Sequence, residues 1–181
     1  MKDDGTQSWM NLTVAPWVGE CYHDASPKIL IVGHSTYIKD THGRTPEEIR
    51  EWLISDTMNV RNSTFTYKYW TNIMSAVTGS KESKDYRRKE FWDRVALYNY
   101  IQRIQTPGLH QATDDDYAYA YDKFKQLVTD LAPSHILVFS AQVFDYLDKR
   151  ESQTHALRLS HPSWYFSWRR ANEKIKLFLS K

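Results

Sequence analysis

Lys28-Ile29-Leu30-Ile31-Val32-Gly33-His34-Ser35-Thr36-Tyr37 (KILIVGHSTY) is the stretch on which the fold turns. Ile29 to Val32 are apolar at every position, and three of the four are β-branched. A run this short cannot make a core helix, and it does not alternate as a half-exposed strand would. It reads as a strand buried on both faces, the signature of a parallel sheet covered by helices. Gly33 then permits a tight turn into polar residues.

Two further runs share this character: Arg94–Tyr100 (RVALYNY) and His135–Ser140 (HILVFS). His155–Ser160 (HALRLS) is a weaker fourth, and its alternation suggests an edge position. Helical signals lie between the runs. Thr45-Pro46-Glu47-Glu48 combines a capping Thr, Pro at the first helical position and a Glu that completes a capping box. Thr113-Asp114-Asp115-Asp116 opens a second helix with three carboxylates at the positive end of its dipole. Tyr117, Tyr121, Phe124, Val128 and Leu131 supply its apolar stripe, and Pro133 stops it. A last helix is expected from about Ser163, with Trp164, Trp168, Ala171, Ile175 and Phe178 as its stripe.

Strands alternating with helices imply right-handed crossovers. The expected architecture is a three-layer α/β/α sandwich on a four-stranded, mainly parallel sheet. Residues 28–181 are read as one domain, with 1–27 as an N-terminal extension packed on it. A chain of 181 residues can bury about 70% of its unfolded surface, so its core needs no covalent staple. The single Cys21 excludes an intrachain disulfide and any four-cysteine metal site. No apolar run approaches the roughly 18 residues of a membrane span, and the first residues lack the apolar core of a signal peptide. A cytoplasmic monomer with no cofactor and no bound metal is the expectation. Neither a phosphate-binding glycine loop nor a dinucleotide fingerprint is present.

Composition is otherwise ordinary, except that 14% of residues are aromatic. Trp and Tyr suit half-wet surfaces that stack on planar ligands. The net charge of +2 is too small to argue for nucleic acid by itself, so only local clusters of Lys and Arg bear on it.

In open parallel sheets, ligands bind beyond the carboxyl ends of the strands. Gly33–Tyr37, Tyr98-Asn99-Tyr100 and Ser160-His161-Pro162-Ser163 all fall at such ends. His34, Ser35, Asn99 and His161 are therefore expected along one edge of the sheet. A serine hydrolase built on Ser35 is disfavoured, because the nucleophile elbow needs G-x-S-x-G and Tyr37 occupies its last position.

A strand ending in a Gly-x-x-x-Tyr turn, an Asn late in a second strand and a His-Pro-Ser after the last strand together resemble the uracil-DNA glycosylase superfamily. Pro16–Tyr22 (PWVGECY) looks like the lead-in segment of a divergent branch of it. The resemblance implies a fold of that type and a DNA partner, single- or double-stranded. It implies a site that flips a base out of the stack and hydrolyses its glycosidic bond. Asn99 matches the amide that reads the uracil edge, and His161 the donor to the uracil oxygen as charge develops there. Tyr37 matches the ring that shuts out a methylated base, and Phe65 the stacking platform. Ser163, Tyr165, Phe166, Arg169 and Arg170 match the segment that wedges into and grips DNA.

Water activation departs from the pattern. Members with a GQDPYH-like turn carry an acid at the position of Ser35, and those with a GExPG-like turn carry one at His34. Both acids are missing here, and Thr36 stands where proline is usual. His34 is the remaining candidate base, with Ser35 able only to position water. The expectation is a glycosylase with low activity; the alternative is a non-catalytic module that binds nucleic acid or a nucleobase on the same fold.

Overall fold

The computed structural model describes residues 16–37, 45, 48, 51, 68–81, 85–105, 112–150, 155–163 and 165–181. Its strands are β1 (Trp17–Val18), β2 (Ile29–Tyr37), β3 (Val95–Gln105), β4 (His135–Val138) and β5 (Ala156–Arg158). They form one sheet in the order β1-β3-β2-β4-β5. The helices are α1 (Lys68–Thr78), α2 (Asp85–Asp93), α3 (Asp114–Leu131), α4 (Ala141–Asp148) and α5 (Trp168–Leu179).

The α/β class follows the alternation in the sequence, and β2, β3, β4 and β5 pair in parallel. The expected count of four strands is corrected to five in a mixed sheet, because β1 adds to β3 in antiparallel sense. Two residues carry no alternation, so hydrophobic periodicity could not reveal β1. Its position is fixed by local contacts. Trp17 Nε1 donates to the Trp92 carbonyl at 2.8 Å, and Cys21 N donates to that of Asp93 at 2.8 Å. Gly19 sits so close that a Cβ there would overlap the backbone of Trp92 and Asp93.

Alternate residues of the buried strands face two helical layers. Leu30, Val32, Ala96, Tyr98, Ile136 and Val138 pack on Phe124, Leu127 and Leu131 of α3 and on Val143 and Leu147 of α4. Ile29, Ile31, Val95, Leu97 and Leu137 pack on Ile73 and Met74 of α1, Phe91 and Trp92 of α2, and Ala171 and Ile175 of α5. The edge position expected for the fourth run is where β5 lies. No helix among the described residues is long and apolar enough to cross a membrane.

Capping sets where the helices begin. Thr45 and Glu48 exchange hydrogen bonds as a capping box, and Thr113 does so with Asp116. The last helix does not start near Ser163. Ser167 is its cap, accepting from Arg170 N, and Tyr165 two residues earlier holds a left-handed backbone (φ 63°) that interrupts any helix there.

Candidate functional site

The chemistry gathers where β2 outlasts the apolar run that announces it. Pairing with β3 carries β2 past Gly33 to Tyr37, with an irregularity between Ser35 and Tyr37. Consecutive residues of a strand face opposite sides, so Gly33 and His34 address different layers.

On the Gly33 side stands Asn99, its register partner on β3. A Cβ on residue 33 would overlap Asn99 Oδ1 and lie 2.8 Å from the Tyr69 hydroxyl. Glycine is needed here for close approach, which lets an amide and a phenol occupy space a side chain would fill. Asn99 Nδ2 donates to Thr36 Oγ1 at 2.9 Å, so Thr36 orients the amide. Gln102 Nε2 donates to the Asn99 carbonyl at 2.9 Å. Burial pushes the Tyr69 phenol well above the ordinary tyrosine range, so it stays protonated.

Tyr69 also meets His161, with ring centroids 5.5 Å apart. The His-Pro-Ser turn is anchored from α1, where Asn72 Nδ2 donates to the Pro162 carbonyl at 3.0 Å. His161 Nδ1 and Ser163 Oγ are hydrogen-bonded at 2.8 Å. Desolvation by surrounding atoms lowers the His161 pKa and favours neutral imidazole. In the tautomer in which the Ser163 hydroxyl donates to Nδ1, Nε2 carries the proton and is a neutral donor.

On the other side, His34 is held at both nitrogens. Nδ1 meets Ser35 Oγ at 2.8 Å, and Nε2 meets the Tyr117 hydroxyl at 2.9 Å. Burial lowers the His34 pKa first, and the charge of His161 lowers it further. Tyr117 comes from the first turns of α3, and its carbonyl accepts from Tyr100 Oη at 3.2 Å. Beside His34 opens a cleft of about 790 Å³, walled by Ala112, Asp114, Gln142, Tyr146 and Arg150 among others.

Of the residues singled out in the sequence, Asn99 and His161 approach the same phenol, Tyr69, whereas His34 bonds across the opposite layer to Tyr117. The backbone of Tyr37 ends β2 opposite Gln105. Phe65 lies outside the described residues. After the His-Pro-Ser turn, Tyr165 is fully exposed and Phe166 is half-buried against Phe139. Arg169 and Arg170 are exposed on the first turn of α5, with the Arg169 guanidinium 4.8 Å from the Trp168 ring. Among the described residues, no group of three or more His, Cys, Asp or Glu side chains is placed to hold a metal.

Tyr69 and Asn72 escaped the sequence reading. They belong to a helix whose role is visible only once it packs beside the His-Pro-Ser turn. Tyr117 was legible as a core residue, but its hydroxyl's partner was not. No protein-family model matches the chain, and no curated protein matches it.

Proposed function

We propose that this chain recognises a nucleobase, uracil or a related damaged base in DNA, in the manner of the uracil-DNA glycosylase superfamily it resembles. The observation that carries the reading is the Asn99 amide, wedged over Gly33, braced by Thr36 and set with the exposed His161 around one half-buried tyrosine, Tyr69. An amide presents an acceptor and two donors, the complement of an imide edge. A neutral imidazole suits the leaving-group oxygen, because it donates a hydrogen bond to growing negative charge without prior protonation.

Hydrolysis breaks the bond between C1′ and the base nitrogen, and the electron pair leaves with the base. Water adds to C1′ and must give up a proton. His34 is the candidate acceptor in the sequence pattern, but its pKa is depressed and protein hydroxyls engage both its nitrogens. Weak excision follows. That same engagement of His34 favours the second reading, a module that binds the base without cleaving it. Tyr165 supplies an exposed ring, and Arg169 and Arg170 supply charge, for contact with the DNA.

The test uses oligonucleotides that differ only in one uracil or thymine, scored for binding and for abasic sites. Preference for the uracil strand that is lost in Asn99→Ala supports base recognition. Equal binding of both strands, unchanged in Asn99→Ala and with no abasic sites, ends the reading. Preference without abasic sites selects the binding module.

A further inference from the structure

The cleft beside His34 takes no part in reading the base against Asn99, yet it opens at the same end of the sheet. Its wall carries two tyrosines, Tyr117 and Tyr146, whose rings lie 5.0 Å apart, and Tyr121 packs 6.5 Å from Tyr146. The Arg150 guanidinium lies 3.8 Å from the Tyr146 ring centroid. Among the described residues, neither Arg150 nor its neighbour Lys149 forms an ion pair. Of the two carboxylates lining the cleft, Asp145 is engaged by both Nε and Nη2 of Arg158, at 2.9 and 3.2 Å. That leaves Asp114 against two cations, so the balance favours an anion. The Tyr146 hydroxyl is buried without a hydrogen-bond partner. A buried polar group left so is costly unless a ligand reaches it.

We propose that this cleft holds the nucleotide adjoining the recognised base in a single strand. Its base stacks on the Arg150 guanidinium, and its phosphate is met by Lys149. Stacking on a planar cation backed by an aromatic ring tolerates any base, as an adjoining position requires. The volume of about 790 Å³ suits a nucleotide-sized ligand. Gly33 and His34 are consecutive, so a strand whose base rests against Asn99 crosses the end of β2 to reach the cleft. The inference thus rests on the base-reading proposal for its register, but not for its chemistry.

The experiment titrates the full chain with single strands carrying one uracil or thymine and 2-aminopurine at its 5′ or 3′ neighbour. One of the two 2-aminopurine positions should be quenched on binding. Arg150→Ala should abolish that quench and weaken binding about tenfold, within the range for one stacked base. Arg150→Lys keeps the charge but not the plane, so it should lose the quench and retain more affinity. Lys149→Ala should flatten the dependence of log affinity on log salt by about 0.7. Both residues are exposed, so these variants keep their fold.

If Asn99→Ala erases uracil preference while Arg150→Ala and Lys149→Ala change neither affinity, slope nor quench, the cleft inference fails and the base reading stands. If both strands bind alike and Arg150→Ala still weakens them, the base reading fails and the cleft stands. A strand that binds no more tightly than thymidine 5′-monophosphate overturns the adjoining role and leaves a free-nucleotide site. Absence of binding by either strand overturns both.

Discussion

At the tip of β2, two consecutive residues serve two unlike surroundings. Gly33 has no side chain, and the space it leaves is taken by the Asn99 amide and the Tyr69 hydroxyl, with no room for a single added carbon. His34 has a large side chain tied to Ser35 and Tyr117, and beyond it the structure is open. One face is tight and orients the Asn99 amide; the other is roomy, and hydroxyls already engage both nitrogens of its imidazole. On the proposed reading, this is the form of a chain that keeps base recognition and lacks a water-activating carboxylate. Alternation along one strand is enough to separate the two faces.

The largest effect that can break this contrast is a gain of catalysis. A positioned general base contributes about 10²–10⁴ in rate. If base recognition is intact and only the carboxylate is lacking, Ser35→Asp or His34→Glu should raise uracil release toward that range. Asn99→Ala or His161→Ala added to the gaining variant should remove the gain. Product formation on a uracil-containing strand measures both. Robust release by the natural chain, abolished in His34→Ala, would make the His34 face catalytic and reverse the comparison.

Packing gives the next largest effect. Gly33→Ala forces a methyl group against Asn99 Oδ1 and toward the Tyr69 hydroxyl, an overpacking that typically costs about 1–3 kcal/mol. Urea denaturation should show it, and uracil preference should fall with it. Adding Asn99→Ala should recover part of the stability but none of the preference. A Gly33→Ala chain as stable as the natural one would mean that the face is not tight.

Single hydrogen bonds come next. Tyr117→Phe and Thr36→Val each delete one hydroxyl, and each should cost about 1 kcal/mol. Their functional consequences should differ. Thr36→Val frees the Asn99 amide and should lower uracil preference, whereas Tyr117→Phe leaves that amide held and should not. Equal loss of preference in both variants would dissolve the distinction between the faces.

How much of this was written in the sequence depends on distance along the chain. β2, β3 and β4 were legible because burial on both faces demands unbroken apolar runs, and β5 announced its edge by alternation. The true length of β2 was not. His34 to Tyr37 are polar or aromatic residues kept in the strand by pairing with β3, a contact some 65 positions away. β1 was illegible for the same reason, since its two residues are ordered by pairing with Ala96 and Leu97, and the residues after them by the backbone of Asp93 and Val95. At the site, Asn99 and His161 could be named from strand-end positions and resemblance. The role of Thr36 as an acceptor, Tyr69 as the phenol between them and Asn72 as the anchor of Pro162 all depend on side chains meeting across elements.

The smallest effect tests whether the two faces are as separate as their contacts suggest. His34 and His161 both have lowered pKa values, chiefly through burial, and the charge of His161 also bears on His34. His135, at the other end of the sheet, is lowered by burial and by neighbouring His155. In the unfolded chain each imidazole titrates near 6.5, so on acidification through that value the unfolded state takes up protons first. Stability should therefore be full above about pH 7 and fall as the pH drops below 6.5, before most carboxylates begin to titrate. Denaturant midpoints between pH 5.5 and 7.5 measure the slope, and His34→Gln or His161→Gln should each flatten it. Because His161 contributes to holding His34 neutral, the double variant should flatten the slope by less than the two single changes added together. Strict additivity would make the imidazoles electrostatically independent, and a midpoint that rises on acidification would contradict the direction of all three shifts.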